Sequence, residues 1–276
     1  MGIDRDGAAF LAAAKRDGVD FGSTLTIGRQ NVSADESALA AAGRIAGVPP
    51  LTVRPEFAEP FLRTLGAVTT DAIDASDFED ATHVHDFNEP MPDDLAGRYS
   101  AVVDGGSLEH IFDVRTSISN MMRLPRVGGH LMFINPSDGF DGHGFYQFTP
   151  EFYYRTLSAE NGYAVERVLL KPLSPLAGWI AVADPAAIGR RINLPPWRET
   201  MIYVLARRIS DALPFAQGVP QQSDYSVAWE AGTETAALAA APARRPSLAA
   251  RADALKRRVL GHPPEIDVEG LRPVEL

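Results

Sequence analysis

The sequence predicts an α/β fold, a mostly parallel sheet with helices on both faces. Two observations carry this. Runs rich in β-branched and aliphatic residues alternate with helical segments through residue 209. Several of those runs end in an aspartate or a glycine pair, the residue types that let a ligand approach a strand end. With 276 residues, 45% of them hydrophobic and 22% charged, the chain can bury a substantial core.

The elements follow in order. Residues 7–16 form a helix ending near Gly18. The stretch "STLTIGRQNVSADESALAAAGRIAG" (23–47) has the strand, turn and helix of a nucleotide-binding unit, with a single glycine, Gly28, in its turn. Ser33 and Glu36 make a capping box that starts the helix, and Gly47 ends it before Pro49 and Pro50. Pro55 opens a second helix, closed by Gly66. "AVTTDAID" is strand two, "THVHDF" strand three and "YSAVVDGG" strand four. Ser107 to Leu124 reads as one helix, with Leu108, Ile111, Phe112, Ile118 and Met121 or Met122 near helical spacing. "GGHLMFINP" is strand five. A helix capped by Thr149 precedes strand six, "YAVERVLLKP", and "ETMIYVLARRI" is strand seven.

Residues 1–209 are therefore expected to be the α/β domain and 210–276 a C-terminal extension. The extension contains an Ala- and Pro-rich linker (about 231–246) and a basic helix, "SLAARADALKRRVLG", expected to be a solvated or docked tail.

Composition narrows the function. A formal net charge of −10 disfavours a general nucleic-acid binder. Zero cysteines exclude disulfides and thiolate metal sites. No apolar run is long enough to span a bilayer, the N-terminus lacks a signal-peptide pattern, and Asp6 stands where a myristoylation motif needs Ser or Thr. The expectation is a cytoplasmic protein with a small-molecule substrate and no nucleic-acid or membrane partner, able to form a homo-oligomer.

Parallel sheets bind ligands beyond the carboxyl ends of their strands, where the strand order switches. Strand two ends in Asp71 and Asp74, and a carboxylate there can accept from both hydroxyls of a ribose, although "DAS" also makes an Asx turn. After strand three, Asp86 can accept from an adenine amino group and Phe87 can pack on a purine face; "DFNEP" is equally good turn chemistry. After strand four come Asp104, Gly105 and Gly106, then Glu109 and His110 in the expected first turn of the next helix. A neutral His110 there is a candidate base, or it fills a polar gap. The loop "NPSDGFDGHGFYQFTPEF", with His143, Tyr146 and Gln147, is expected to be a substrate lid, with a surface latch as the alternative. Asp86, Asp104, Glu109, His110 and His143 could supply metal ligands, but no spacing such as H-x-x-x-H is present, and no metal is expected. A serine nucleophile lacks its G-x-S-x-G elbow.

From strand two onward, "AIDAS", "HDFNEPMP", "YSAVVDGGSLEHIFD", "LPRVGGHLMFINP" and "FYQFTPEFYYRTLSAENGY" occur in an order similar to the class I S-adenosylmethionine-dependent methyltransferases, over roughly residues 67–170. The resemblance implies a Rossmann-like seven-stranded sheet whose last strand is antiparallel. It implies S-adenosyl-L-methionine lying across the ends of strands one, two and four. Asp74 would hold the ribose, Asp86 and Phe87 the adenine, and the Gly28 turn with Asp104 and Gly105 the methionine part. Two departures stand out. "GRQNV" replaces the Gly-rich turn, so Arg29 and Gln30, with Asn31, would bind the donor carboxylate through side chains or else block the pocket. The stretch between Asp74 and strand three is also too short for a helix.

The expected reaction is methyl transfer to an oxygen or nitrogen of a small or medium-sized acceptor, with His143 or His110 as base and Glu109, Tyr146 and Gln147 on the substrate side. One alternative is a non-catalytic module of the same fold, motivated by the missing glycines. Another is a nicotinamide-dependent oxidoreductase or epimerase, which lacks both its glycine fingerprint and a Tyr-x-x-x-Lys pair.

Overall fold

The computed structural model describes residues 2–174, 177–189, 192, 199–225 and 271–276. The first elements are β1 (Gly2–Ile3), α1 (Arg5–Arg16), β2 (Ser23–Ile27), β3 (Asn31–Val32), α2 (Glu36–Ala46) and α3 (Glu59–Thr64). Helix α1 starts at Asp4, whose carboxylate accepts the Gly7 amide at 2.7 Å. The cap of α2 is Asp35, not Ser33; Asp35 accepts the Ala38 amide at 2.8 Å. The Ser33 and Ala34 amides instead donate to the Ile3 carbonyl, which draws this segment onto β1. Helix α3 is shorter than the expected helix from Pro55. The backbone before it runs beside β3, with Val32 N donating to Glu56 O and Ala58 N to Gln30 O, so Phe57 is drawn into an isolated antiparallel bridge with Asn31 and the helix starts only after Ala58.

The chain continues through β4 (Thr69–Asp74), β5 (His83–Val84), β6 (Tyr99–Asp104), a 3₁₀ turn at Leu108–His110, α4 (Val114–Arg123) and β7 (Pro125–Asp138). The single helix expected over Ser107–Leu124 is broken. Asp113 starts α4 by accepting the Thr116 amide at 3.0 Å, and residues 107–112 are released to form a separate turn. Glu109 and His110 therefore lie in that turn rather than at a helix N-terminus. Then follow α5 (Pro150–Thr156), β8 (Tyr163–Pro172), β9 (Trp179–Val182), α6 (Pro185–Ile188), β10 (Thr200–Arg208) and β11 (Leu271–Val274).

The main sheet runs β11-β9-β8-β10-β7-β6-β2-β4-β5. Strands β5, β4, β2, β6 and β7 are mutually parallel, and β10 is inserted antiparallel between β7 and β8. The seven-stranded arrangement with its last strand reversed is thus present. The antiparallel strands β9 and β11 extend it at one edge. Strand β11 brings the end of the chain onto the α/β domain, and Ser223 donates to Glu151 of α5 at 2.6 Å, so the described parts of the extension pack on the domain. The linker and the basic helix expected at 247–261 lie outside the described residues.

Side chains alternate between two cores, as strand geometry requires. Along β10, Ile202, Val204 and Ala206 join the core beneath α4 and α5. Met201, Tyr203 and Leu205 join the core beneath α1, α2 and α3. Tyr203 packs against Phe10 and Trp179, with ring centroids 5.4 and 4.7 Å away. Its hydroxyl is buried with no hydrogen-bond partner among the described residues. Removing that oxygen takes away an unpaired polar atom. Tyr203→Phe is expected to leave stability unchanged or raise it by about 1 kcal/mol. Tyr203→Ala opens a cavity and should cost about 3–5 kcal/mol. Denaturant titration of the two variants against the parent checks both.

Candidate functional site

The direction of the strand order reverses between β2 and β6, which makes the carboxyl ends of β2, β4 and β6 the switch-point crevice. Gly28, directly after β2, has φ +71° and donates its amide to Ile73 O at 2.7 Å. A Cβ on Gly28 would stand 3.1 Å from Ser107 Oγ, 3.3 Å from Gln30 Nε2 and 3.6 Å from Asp74 Oδ2. Three polar side chains from three loops therefore converge on the glycine. Asp74 ends β4, and its other oxygen takes the Ser76 amide in a long contact of 3.4 Å, an Asx-type turn. Ser107 donates to Ile27 O at 2.8 Å.

Gln30 folds back into this crevice. Its Nε2 donates to Ile27 O at 2.5 Å, and its Oε1 rests where a Cβ of Gly105 would collide with it. A side chain at 105 would have to displace that amide. Gln30 is 4% exposed, and Oε1 has no partner among the described residues. Arg29, its sequence neighbour, is directed elsewhere. It pairs with Glu59 at 2.8 Å, donates to the Glu79 carbonyl at 2.7 Å and lies 4.0 Å over the Phe57 ring. Arg29 fastens the turn to α3 and the β4–β5 loop, and does not occupy the crevice.

The two residues after strand three take the turn reading. Asp86 is exposed and accepts from the Asn88 amide and side chain at 2.9 and 2.8 Å; those bonds hold its carboxyl below the usual range. Phe87 is 4% exposed and belongs to the core beneath α4. Asp104 is also turned inward. It accepts the Ser107 amide at 2.7 Å and the Asn135 Nδ2 at 2.8 Å.

Asn135 joins the donor side of the site to a second cluster. Its Nδ2 also donates to Glu109 Oε2 at 3.0 Å, and its Oδ1 accepts from the Tyr153 hydroxyl. Asp104 and Glu109 are both 0% exposed. Burial, and then the Asp104 charge, push Glu109 up to about 8; burial pushes Asp104 up to about 6 against the bonds from Asn135 and Ser107. Near neutral pH the pair holds a proton. Glu109 Oε1 has no hydrogen bond among the described residues and faces His143 Nε2 at 3.9 Å and His110 Nε2 at 4.0 Å. The two imidazoles meet edge to face, centroids 4.8 Å apart. Burial and the neighbouring His143 pull His110 below its usual value, which favours the neutral ring. The donor atoms of Glu109, His110 and His143 all lie within 4.8 Å of one another.

The loop carrying His143 is pinned to the 3₁₀ turn. The Phe145 amide donates to Glu109 O at 2.7 Å, an approach that requires Gly144 (φ +71°), since a Cβ there would stand 2.7 Å from the same oxygen. Tyr146 donates to Phe112 O at 2.7 Å, and Phe112 and Phe145 pack edge to face at 5.6 Å. Gln147 Oε1 accepts the Phe140 amide at 2.8 Å. Tyr146 and Gln147, expected on the substrate side, spend these polar atoms on protein contacts: Phe112 O for the hydroxyl, the Phe140 amide and Asp141 for the side-chain amide. Sequence reasoning missed Asn135, Tyr153 and Ser107. The signal for Asn135 was available: in "LMFIN" it shares a strand face with Leu131 and Phe133, so a polar group had to be buried there.

No family model and no curated protein matches the chain. Solved structures do. A Bacillus halodurans protein provisionally termed a methyltransferase matches at 11% identity, with 73% of this chain and 99% of that one covered and a TM-score of 0.42. A geranyl diphosphate methyltransferase in complex with SAM matches at 12% identity (74% and 85% covered, TM-score 0.41). The methyltransferase CalH in complex with SAH matches at 15% identity (74% and 55% covered, TM-score 0.38). At such scores the likeness carries no weight for function, which has to be argued from the chain's own site.

The buried carboxylates make stability depend on pH. A carboxyl whose folded value is raised adds stability when protonated, below about 4.5, and loses it as pH climbs through about 8. Glu109→Gln removes that ionisation. In chelator-treated buffer the variant should gain on the parent between pH 5 and 8.5, by at most about 1.4 kcal/mol per pH unit. Urea titrations at four pH values check this; a gap that stays constant or shrinks contradicts it.

Proposed function

We propose that this chain is an S-adenosyl-L-methionine-dependent methyltransferase acting on an oxygen or nitrogen of a small or medium-sized acceptor. The observation that carries the reading is the convergence of Gly28, Asp74, Gln30 and Ser107 at the switch point, within one hydrogen-bond relay of the Glu109–His110–His143 cluster. The residues fit the donor. Gly28 keeps open a cradle that a side chain would fill, and Gln30 Oε1 is a buried acceptor awaiting a donor group.

When bound, S-adenosylmethionine supplies an electrophilic methyl group on a sulfonium centre. The protein's own tasks are positioning and proton handling. Asp74, at the end of β4, is suited to accept from ribose hydroxyls. Gln30 Oε1 is suited to accept from an ammonium group, in place of the glycine-rich backbone cradle. Glu109, His110 and His143 form the acceptor side, where a hydroxyl or ammonium proton is taken up. The latched loop 139–148 keeps His143 beside Glu109.

The position of Gln30 on Gly105 also supports a second reading, a non-catalytic module in which the amide fills the donor site. Calorimetry with S-adenosylhomocysteine separates the two. Micromolar binding that weakens about 10–100-fold in Asp74→Ala is expected for the enzyme, the loss of charge-assisted hydrogen bonds. The absence of heat at high concentration would favour the module. With an acceptor found by panel screening, His143→Ala should lower turnover by roughly 10²–10⁴-fold while donor affinity stays level. Undiminished turnover would remove His143 from the reaction.

A further inference from the structure

We propose that Glu109, His110 and His143 form a binding site for a divalent transition-metal ion, with zinc as the natural probe. The donors are one carboxylate and two imidazoles, a set suited to zinc and its first-row neighbours rather than to magnesium or calcium. Both Nε2 atoms aim at a single oxygen, Glu109 Oε1, at 4.0 and 3.9 Å. These separations are too long for hydrogen bonds. Two bonds of about 2.1 Å to one tetrahedral ion hold their ligand atoms roughly 3.4 Å apart, so each imidazole would close on the carboxylate by about half an ångström, and the two imidazole donors, within 4.8 Å of one another, by up to about 1.4 Å, a shift their part-exposed rings can make.

A second observation points to a ligand independently. Glu109 is 0% exposed, yet Oε1 has no hydrogen-bond partner among the described residues, and neither does the buried Nε2 of His143. Two orphaned polar atoms facing one another across 3.9 Å are costly as they stand, and an ion between them satisfies both. The support behind the cluster also suits a metal. Asn135 holds Glu109 through Oε2 at 3.0 Å and leaves Oε1 free. The carbonyl of Glu109 is fixed by the Phe145 amide, which sets the distance between the turn carrying Glu109 and His110 and the loop carrying His143.

Three protein donors leave coordination positions open. An acceptor hydroxyl bound there would release its proton to solvent more readily, and with the ion seated the imidazoles act as ligands in place of the base role proposed for the ion-free cluster. The site stands on the chain's own donors and does not require the methyl-transfer reading.

The test uses the full chain, freed of metal with a chelator and dialysed. Zinc chloride is titrated by calorimetry without methyl donor or acceptor, so that its outcome is separate from that of the S-adenosylhomocysteine titration. One equivalent per chain is expected, weakened at least tenfold in His110→Ala, His143→Ala and Glu109→Gln alike. Both histidines are part-exposed, and circular dichroism confirms that the variants are folded. A readout that needs no variant is the imidazole NMR signals, of which zinc should shift those of two of the six histidines. No zinc binding by the parent, equal affinity in all variants, or shifts at other histidines would overturn the site.

Discussion

The side-chain amide of Asn135 is the interaction on which the site is built. Asp104 and Glu109 are both removed from water, and two carboxylates so placed repel one another strongly in a medium that screens weakly. Asn135 lies between them and donates to both, while Tyr153 fixes the amide's orientation from the opposite side. This arrangement decides several things at once. It fastens the end of β6 to the end of β7. It anchors the 3₁₀ turn through Glu109, which sets where His110 projects. The same residue's carbonyl receives the Phe145 amide and so brings His143 in from a loop more than thirty residues away in sequence.

The donor side follows a different logic. A glycine-rich turn offers ligands its backbone amides because nothing stands in front of them. Here the turn keeps a single glycine, and a side chain, Gln30, lies on the strand-four glycine. A glutamine amide can present a donor and an acceptor in the space where backbone would otherwise do so, at the cost of being able to rotate. The neighbouring Arg29 limits that freedom by tying the turn to Glu59, Phe57 and the Glu79 carbonyl. Specificity for whatever enters the crevice therefore depends on two adjacent side chains with opposite tasks, one inside the site and one bracing it from outside.

Where the sequence misled, a tertiary bond outcompeted a local one. Ser33 has the pattern of a helix cap, yet its amide is claimed by Ile3 of β1, and Asp35 takes over the cap two residues further on. The apolar spacing of Ser107–Leu124 reads as one helix, but Asp104 captures the Ser107 amide and Asp113 starts afresh, so the segment divides. By composition Asp86 and Phe87 suit an adenine pocket and a turn equally; the Asn88 bonds to Asp86 and the burial of Phe87 are tertiary facts that their identity does not carry. Tyr146 and Gln147 were legible as functional-loop residues, but the Tyr146 hydroxyl is used on the Phe112 carbonyl and the Gln147 amide within the loop itself.

The order of the seven main strands and of most helices between them, the aspartate and glycine punctuation of the strand ends and the acidic, cysteine-free character were determined by the sequence alone. Local propensity and hydrophobic period act over a few residues and are written directly into the chain. Only the tertiary structure decided that Glu109, His110 and His143 meet, that Asn135 binds two buried acids, and that Gln30 enters the crevice while Arg29 leaves it. Those outcomes depend on which groups compete for each buried hydrogen bond once distant segments are packed together, and no short stretch of sequence contains both competitors.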